Sequence, residues 1–227
     1  MSLPLVKAHR VIAVGLGLFI LTHLAIHLTA IGGPERHIAA LSKIQPLYRN
    51  WIIEPILVLA ILAQIIIGGK LVWRRWKSPQ KGFWGWTQIL SGGYLAFFLL
   101  IHSSAALSTR YIVGLDTNFY WAASTLNIAP LQYVFTPYYM LGIVSVFAHL
   151  AAAIYFGRGQ KGARPSWIII AVGSAVALII VATFSGAVYD IKIPQDYLDH
   201  FESYTGCLLY TSPSPRDQRG SRMPSSA

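Results

Sequence analysis

Between His9 and Gly33 the chain reads HRVIAVGLGLFILTHLAIHLTAIGG, an almost wholly apolar run that nevertheless contains His23 and His27. A helix of about 20 apolar residues crosses the ~30 Å hydrocarbon core of a bilayer, so both imidazoles are expected at membrane depth. Ionisable groups are costly there and ordinarily have a partner. Two kinds of partner suit a neutral imidazole. One is a hydrogen bond to a neighbouring helix; the other is a metal, most simply haem iron, with the macrocycle filling an apolar gap. His27 follows His23 by one helical turn on the same face and is the competing ligand.

Apolar periodicity recurs along the chain and predicts an all-α membrane protein with five spans, at about 11–30, 51–73, 87–107, 136–156 and 166–189. With 55% hydrophobic and 11% charged residues in 227, a single integral membrane domain is expected. The net charge of +10 would suggest nucleic-acid binding in a soluble protein. Here the basic residues fall in two short loops, Lys70, Arg74, Arg75, Lys77 and Lys81 in one and Arg158, Lys161 and Arg164 in the other. They read as topology signals that place those loops and the N-terminus in the cytoplasm, which argues against a nucleic-acid partner. Asp190, Asp196, Asp199 and Glu202 fit the opposite side, and the tryptophans near span ends read as interfacial anchors. The first apolar segment lacks a clear signal-peptide exit and is expected to be retained.

The segment from Cys207 to Ala227 is Ser/Pro/Arg-rich and unrelated to what precedes it. Its opening, CLLYTSPSPRD, resembles a translated sequencing adapter, so residues 207–227 are treated as a non-native tail and 1–206 as the integral membrane domain, with the native C-terminus expected to be missing. Without that tail the charge is +8 and no cysteine remains, so thiol and Cys-ligated metal chemistry have no support.

Helix rise places the buried polar residues in layers. His23 lies about 18 Å and His102 about 22 Å above the inner ends of their spans, in the outer half. Gln64 and His149 each lie about 20 Å below the outer surface, in the inner half. Four polar side chains on four helices thus form two depth-matched pairs, one His/His and one Gln/His.

At these residues the chain resembles the single-chain, five-helix cytochrome b membrane anchors of succinate:quinone oxidoreductases and quinol:fumarate reductases. The fragments that carry the resemblance span most of residues 9–189: HR near the start, FILTHL and the following GG, YRNWIIEP, QILSGGYLAFFLLIH and GIVSVFAH. The family's haem ligands map to His23 in FILTHL, His102 in FFLLIH and His149 in VFAH, and motif position favours His23 over His27. The span-two ligand has no counterpart, because ILAQIIIG offers Gln64. Amide is a poor haem ligand beside imidazole, so one haem b is expected, with His23 and His102 as the iron ligands. His149 is then either the ligand of a second haem or a hydrogen-bonding residue, with Gln64 as one partner, in a vestigial site.

The resemblance further implies a bacterial cytoplasmic membrane location, flavoprotein and iron–sulfur partner subunits, and electron exchange with membrane quinone. Six-coordinate bis-His haem suits electron transfer and leaves no open iron position. Quinone chemistry also moves protons, for which Glu54 near the outer end of span two is the candidate catalytic residue. An interfacial ion pair between Glu54 and Arg49 is the competing reading. On the inner side His9, Arg10, Gln88 and Ser91 are candidate quinone contacts, and Arg110 is a candidate propionate partner. Ser103, Ser104 and Thr22 are candidates for bracing the ligand imidazoles. Two other functions stay open: a haem-free structural anchor of the same complex, and a proton-coupled small-solute transporter using His23, His27 and Glu54.

Overall fold

A backbone lying among apolar side chains must satisfy its own N–H and C=O groups, which a helix does within one segment. In the computed structural model, which describes residues 3–76 and 82–209, every regular element is helical. The helices are α1 (Leu3–Leu28), α2 (Pro34–Tyr48), α3 (Ile53–Trp76), α4 (Gly82–Ser108), α5 (Phe119–Asn127), α6 (Leu131–Arg158), α7 (Ala163–Phe184) and α8 (Gln195–Leu209). Lys77 and Lys81 of the basic loop, and residues 210–227 of the tail, lie outside the described residues. The last three residues of α8 are the first three of that tail.

Four helical stretches are long and apolar enough to cross a membrane: Pro4–Gly32, Ile53–Arg74, Gly82–Val113 and Leu131–Phe184. The last, 54 residues long, contains both α6 and α7. They reverse through a tight turn at Gly159–Gly162 and pack antiparallel. Ser166 Oγ donates to the Ala151 carbonyl at 2.8 Å, and further along the seam Gly173 faces Phe147. A Cβ on Gly173 would lie 2.3 Å from the Phe147 side chain, so the seam has no room for one. The outward faces are apolar, with Val11, Leu18, Leu59, Leu90 and Leu178 all exposed. A patchwork of this extent is suited to lipid rather than water.

The element bounds depart from the periodicity in one instructive place. The apolar pattern continues to Tyr189, yet α7 stops at Phe184. Asn127 Nδ2 donates to the Phe184 carbonyl at 2.9 Å, and Gly186 takes φ +80, where a side chain would be strained. Tyr189 then turns back to donate from its hydroxyl to the Ala30 carbonyl at 2.7 Å, tying the end of α7 to the end of α1.

Three shorter helices gather at one end of the bundle, the end reached by the last turns of α1, α4 and α7. None is long and apolar enough to register as a span. α2 starts with Pro34 in its first turn followed by Glu35, both favourable at a helix N-terminus, and buries His37 and Leu41 one turn apart. α5 is capped by Asn118, whose side chain accepts from the Tyr120 N–H at 2.9 Å. It buries Phe119, Trp121 and Leu126, and α8 lays Tyr197 and Phe201 against Trp121. Trp121 is therefore part of an internal seam and not the interfacial anchor that its sequence position suggests. A polar clasp fastens the cap, because Arg49 donates to Asp116 at 2.7 Å and to the Thr117 hydroxyl at 2.8 Å.

Candidate functional site

Beneath this cap the long helices part around a cavity of about 220 Å³. Its deep walls are apolar, built from Leu16, Ile20, Ile61, Leu95, Val146 and Ile180 among others. Its polar lining is concentrated toward the capped end, where Arg49, Glu54, Arg110, Thr117 and Asn118 meet. Between these regions four histidines converge: His23 and His27 from α1, His102 from α4 and His37 from α2. The i, i+4 spacing puts His23 and His27 on one face of α1.

Three of the imidazoles form a hydrogen-bonded file. His37 Nε2 lies 3.1 Å from His27 Nδ1, and His27 Nε2 lies 3.0 Å from His23 Nε2. The His27 and His37 rings stack, with centroids 5.1 Å apart. His23 in turn lies edge to face with His102, their ring centroids 6.1 Å apart. His102 is held flat against Phe98, at 5.2 Å and 9°.

Two imidazoles that share one metal ion through nitrogen, with bonds of about 2.0 Å, have ring centroids about 6 Å apart. His23 and His102 stand at that separation on helices from opposite walls. That separation is compatible with two imidazoles on one metal, beside largely apolar walls with Arg49 and Arg110 at the polar end. One local change is required. His23 Nε2 faces His27 Nε2 at 3.0 Å, so a metal held by that nitrogen would displace the contact with His27. Among the described residues no group of three or more His, Cys, Asp or Glu has a metal-holding arrangement, and bis-imidazole ligation of haem needs only two.

Glu54 and Arg110 form an ion pair at the cavity mouth, and Tyr111 donates its hydroxyl to the same carboxylate. The partner of Glu54 is thus Arg110 and not Arg49, which is engaged by Asp116. Thr22 donates to the Leu18 carbonyl and braces no imidazole, whereas Ser103 lines the cavity.

The inner-half residues form a separate cluster. Gln64 Nε2 reaches His9 Nε2 at 3.3 Å, while His149 Nδ1 lies 3.3 Å from Ser91 Oγ on α4. Gln64 and His149 therefore take different partners. Gly92 packs against the His149 ring, and a Cβ there would lie 3.0 Å from its Cε1. His9 Nδ1 and Gln64 Oε1 are buried without a partner. Arg10 is exposed, and Gln88 is half-buried on the same helix as Ser91.

His37 and Tyr139, neither singled out by the sequence, line the cavity, as do Arg49 and Trp121, which the sequence suggests as an ion-pair partner and an interfacial anchor. A signal existed for His37. The stretch PERHIAALSKIQPLY opens with Pro and Glu and repeats buried positions at one-turn spacing, as a short amphipathic helix does.

Burial lowers the His37 imidazole to about 4, so it is neutral at neutral pH. The neutral ring is what packing of α2 favours, so this stabilisation is complete above the ordinary value of about 6.5 and is lost as pH falls from there toward 4. By pH 5 the loss at this group is about 2 kcal/mol. Hydrogen exchange of residues 34–48, corrected for intrinsic rates, is expected to lose protection between pH 7 and pH 5. His37→Gln, which cannot titrate, removes most of that change; equal loss in both proteins would exclude His37 as its source.

Compared with protein-family models, curated proteins and solved structures, the chain matches none.

Proposed function

We propose that this chain is the membrane anchor and electron-carrying subunit of a succinate:quinone oxidoreductase-type complex. The observation that supports this reading most is the His23/His102 pair, 6.1 Å between ring centroids, across an apolar cavity with arginines at one end. In this reading α1, α3, α4, α6 and α7 are five crossings of a bacterial cytoplasmic membrane. The N-terminus is then cytoplasmic and α2, α5 and α8 cap the outer side, following the basic loops. His23 and His102 hold one haem b, and its chemistry when bound is one-electron transfer without an open coordination position. Arg49 and Arg110, paired here with Asp116 and Glu54, would have to share those partners to meet its carboxylates. Dicarboxylate chemistry belongs to flavoprotein and iron–sulfur partners, and electrons pass between them and membrane quinone.

Quinol oxidation releases two protons with its two electrons, and Glu54, beside Arg110 and Tyr111 at the outer mouth, is placed to accept one. Glu54→Gln is expected to slow quinol turnover by about 10- to 100-fold, within the usual range for loss of a positioned acid–base group. The haem spectrum should stay as it is. Full turnover in this variant would remove Glu54 from proton transfer and leave it as an ion-pair partner.

The bond between His23 and His27 favours one second reading, a haem-free structural anchor of the same complex, because it satisfies His23 without iron. Purification of the tagged chain from native membranes separates the readings. The electron-carrier reading expects co-purifying flavin, iron–sulfur signals and haem b together. Partners without haem would support the structural anchor, and the chain alone without pigment would overturn both.

A further inference from the structure

We propose that His37, on the capping helix α2, is a positioning residue that fixes which nitrogen of His23 carries the proton, acting through His27. The proposal rests on the reading of His23 as a haem ligand. It starts from a count of hydrogens. Three neutral imidazoles in a file own three N–H groups and three lone pairs, and the two links of the file consume two of each. One N–H and one lone pair are left over, at opposite ends.

The two ends are not equivalent. His37 is 1% exposed and wedged between Phe119 and Phe184, and its Nδ1 is buried with no partner. His23 lines the cavity, where a polar group has room for a partner. Buried donors left unpaired are rarer than unpaired acceptors, as backbone groups show. The lone pair therefore falls to His37 Nδ1 and its proton to Nε2. His37 Nε2–H then donates to His27 Nδ1, and His27 Nε2–H donates to His23 Nε2. His23 is left protonated at Nδ1, with its basic lone pair on Nε2. That tautomer leaves Nε2 unprotonated and engaged by the His27 N–H, which iron at Nε2 would have to displace. In the reversed file His23 Nε2 carries a proton and cannot bind iron. The Thr22 hydroxyl does not perform this task, because it is spent on its own helix. An imidazole two rings away, on a helix that crosses nothing, performs it instead.

The test uses the full chain and two variants. His37→Phe fills the site without a donor, whereas His37→Gln keeps an N–H near the Nε2 position. Nitrogen-15 NMR of the histidine rings in haem-free protein reads the tautomer directly. Wild type and His37→Gln are expected to show His23 as the Nδ1–H form, and His37→Phe a mixture or the Nε2–H form. Haem titration of the same three proteins is expected to show uptake by wild type and His37→Gln. An Nε2–H His23 in wild type, or the same tautomer in wild type and His37→Phe, would overturn the proposal. A tautomer change as described with no haem uptake by any of the three proteins would overturn the haem reading and leave the role of His37 in the file standing.

Discussion

The unaltered chain is expected to show reduced-minus-oxidised haem b bands, and chains carrying His23→Ala or His102→Ala are expected to lack them. Each substitution removes one of two imidazoles that stand 6.1 Å apart across the cavity. No other histidine is positioned to replace His102, because Phe98, Trp121 and Tyr139 surround it on its own side. His27 sits one turn from His23, so His27→Ala is the informative companion. If His23 is the ligand, His27→Ala keeps the bands while removing the neighbour of Nε2. Bands that survive in His23→Ala and vanish in His27→Ala would transfer the ligand role to His27. Bands unchanged in both His23→Ala and His102→Ala would end the assignment.

Gly142→Ala is expected to disturb the same spectrum from a position that touches no imidazole. A Cβ at Gly142 would lie 2.5 Å from Phe98 Cε2 and 2.6 Å from Cδ2, distances that force the ring to move. Phe98 cannot move freely, since it stacks on His102 on one side and meets Tyr138 at 4.7 Å on another. The displacement passes to His102. Overpacking of this kind usually costs about 1–3 kcal/mol, so a lower melting temperature should accompany a shifted or broadened haem band. Gly173→Ala is the control. It makes a clash of similar severity, 2.3 Å from Phe147 in the α6–α7 seam, between residues outside the lining of the cavity. It should lower stability without changing the spectrum. Equal spectral changes in the two variants would show that the effect is general loosening and not transmission through Phe98.

The long helices were legible because hydrophobicity over 20 residues is a cumulative signal that local chemistry seldom overturns. His23 and His102 stood out for the complementary reason, as polar groups in runs that otherwise exclude them. The cap was not legible by the same means. α2 and α5 are short and of mixed polarity, so their burial depends on partners far away in sequence. Phe119 and Phe184 enclosing His37 is one example. The partner of Glu54 was misjudged because Arg49 is near in sequence, whereas Arg110 reaches it from the end of α4. Gln64 was matched to His149 by depth alone, and depth does not specify rotation about the helix axis. Rotation aims Gln64 at His9 instead.

The bis-imidazole site is tested most directly by the haem content of the purified chain, determined by pyridine haemochrome against protein mass. One haem b per chain, lost in His102→Ala, is the expected result. A pigment-free chain from membranes where haem is plentiful would contradict it.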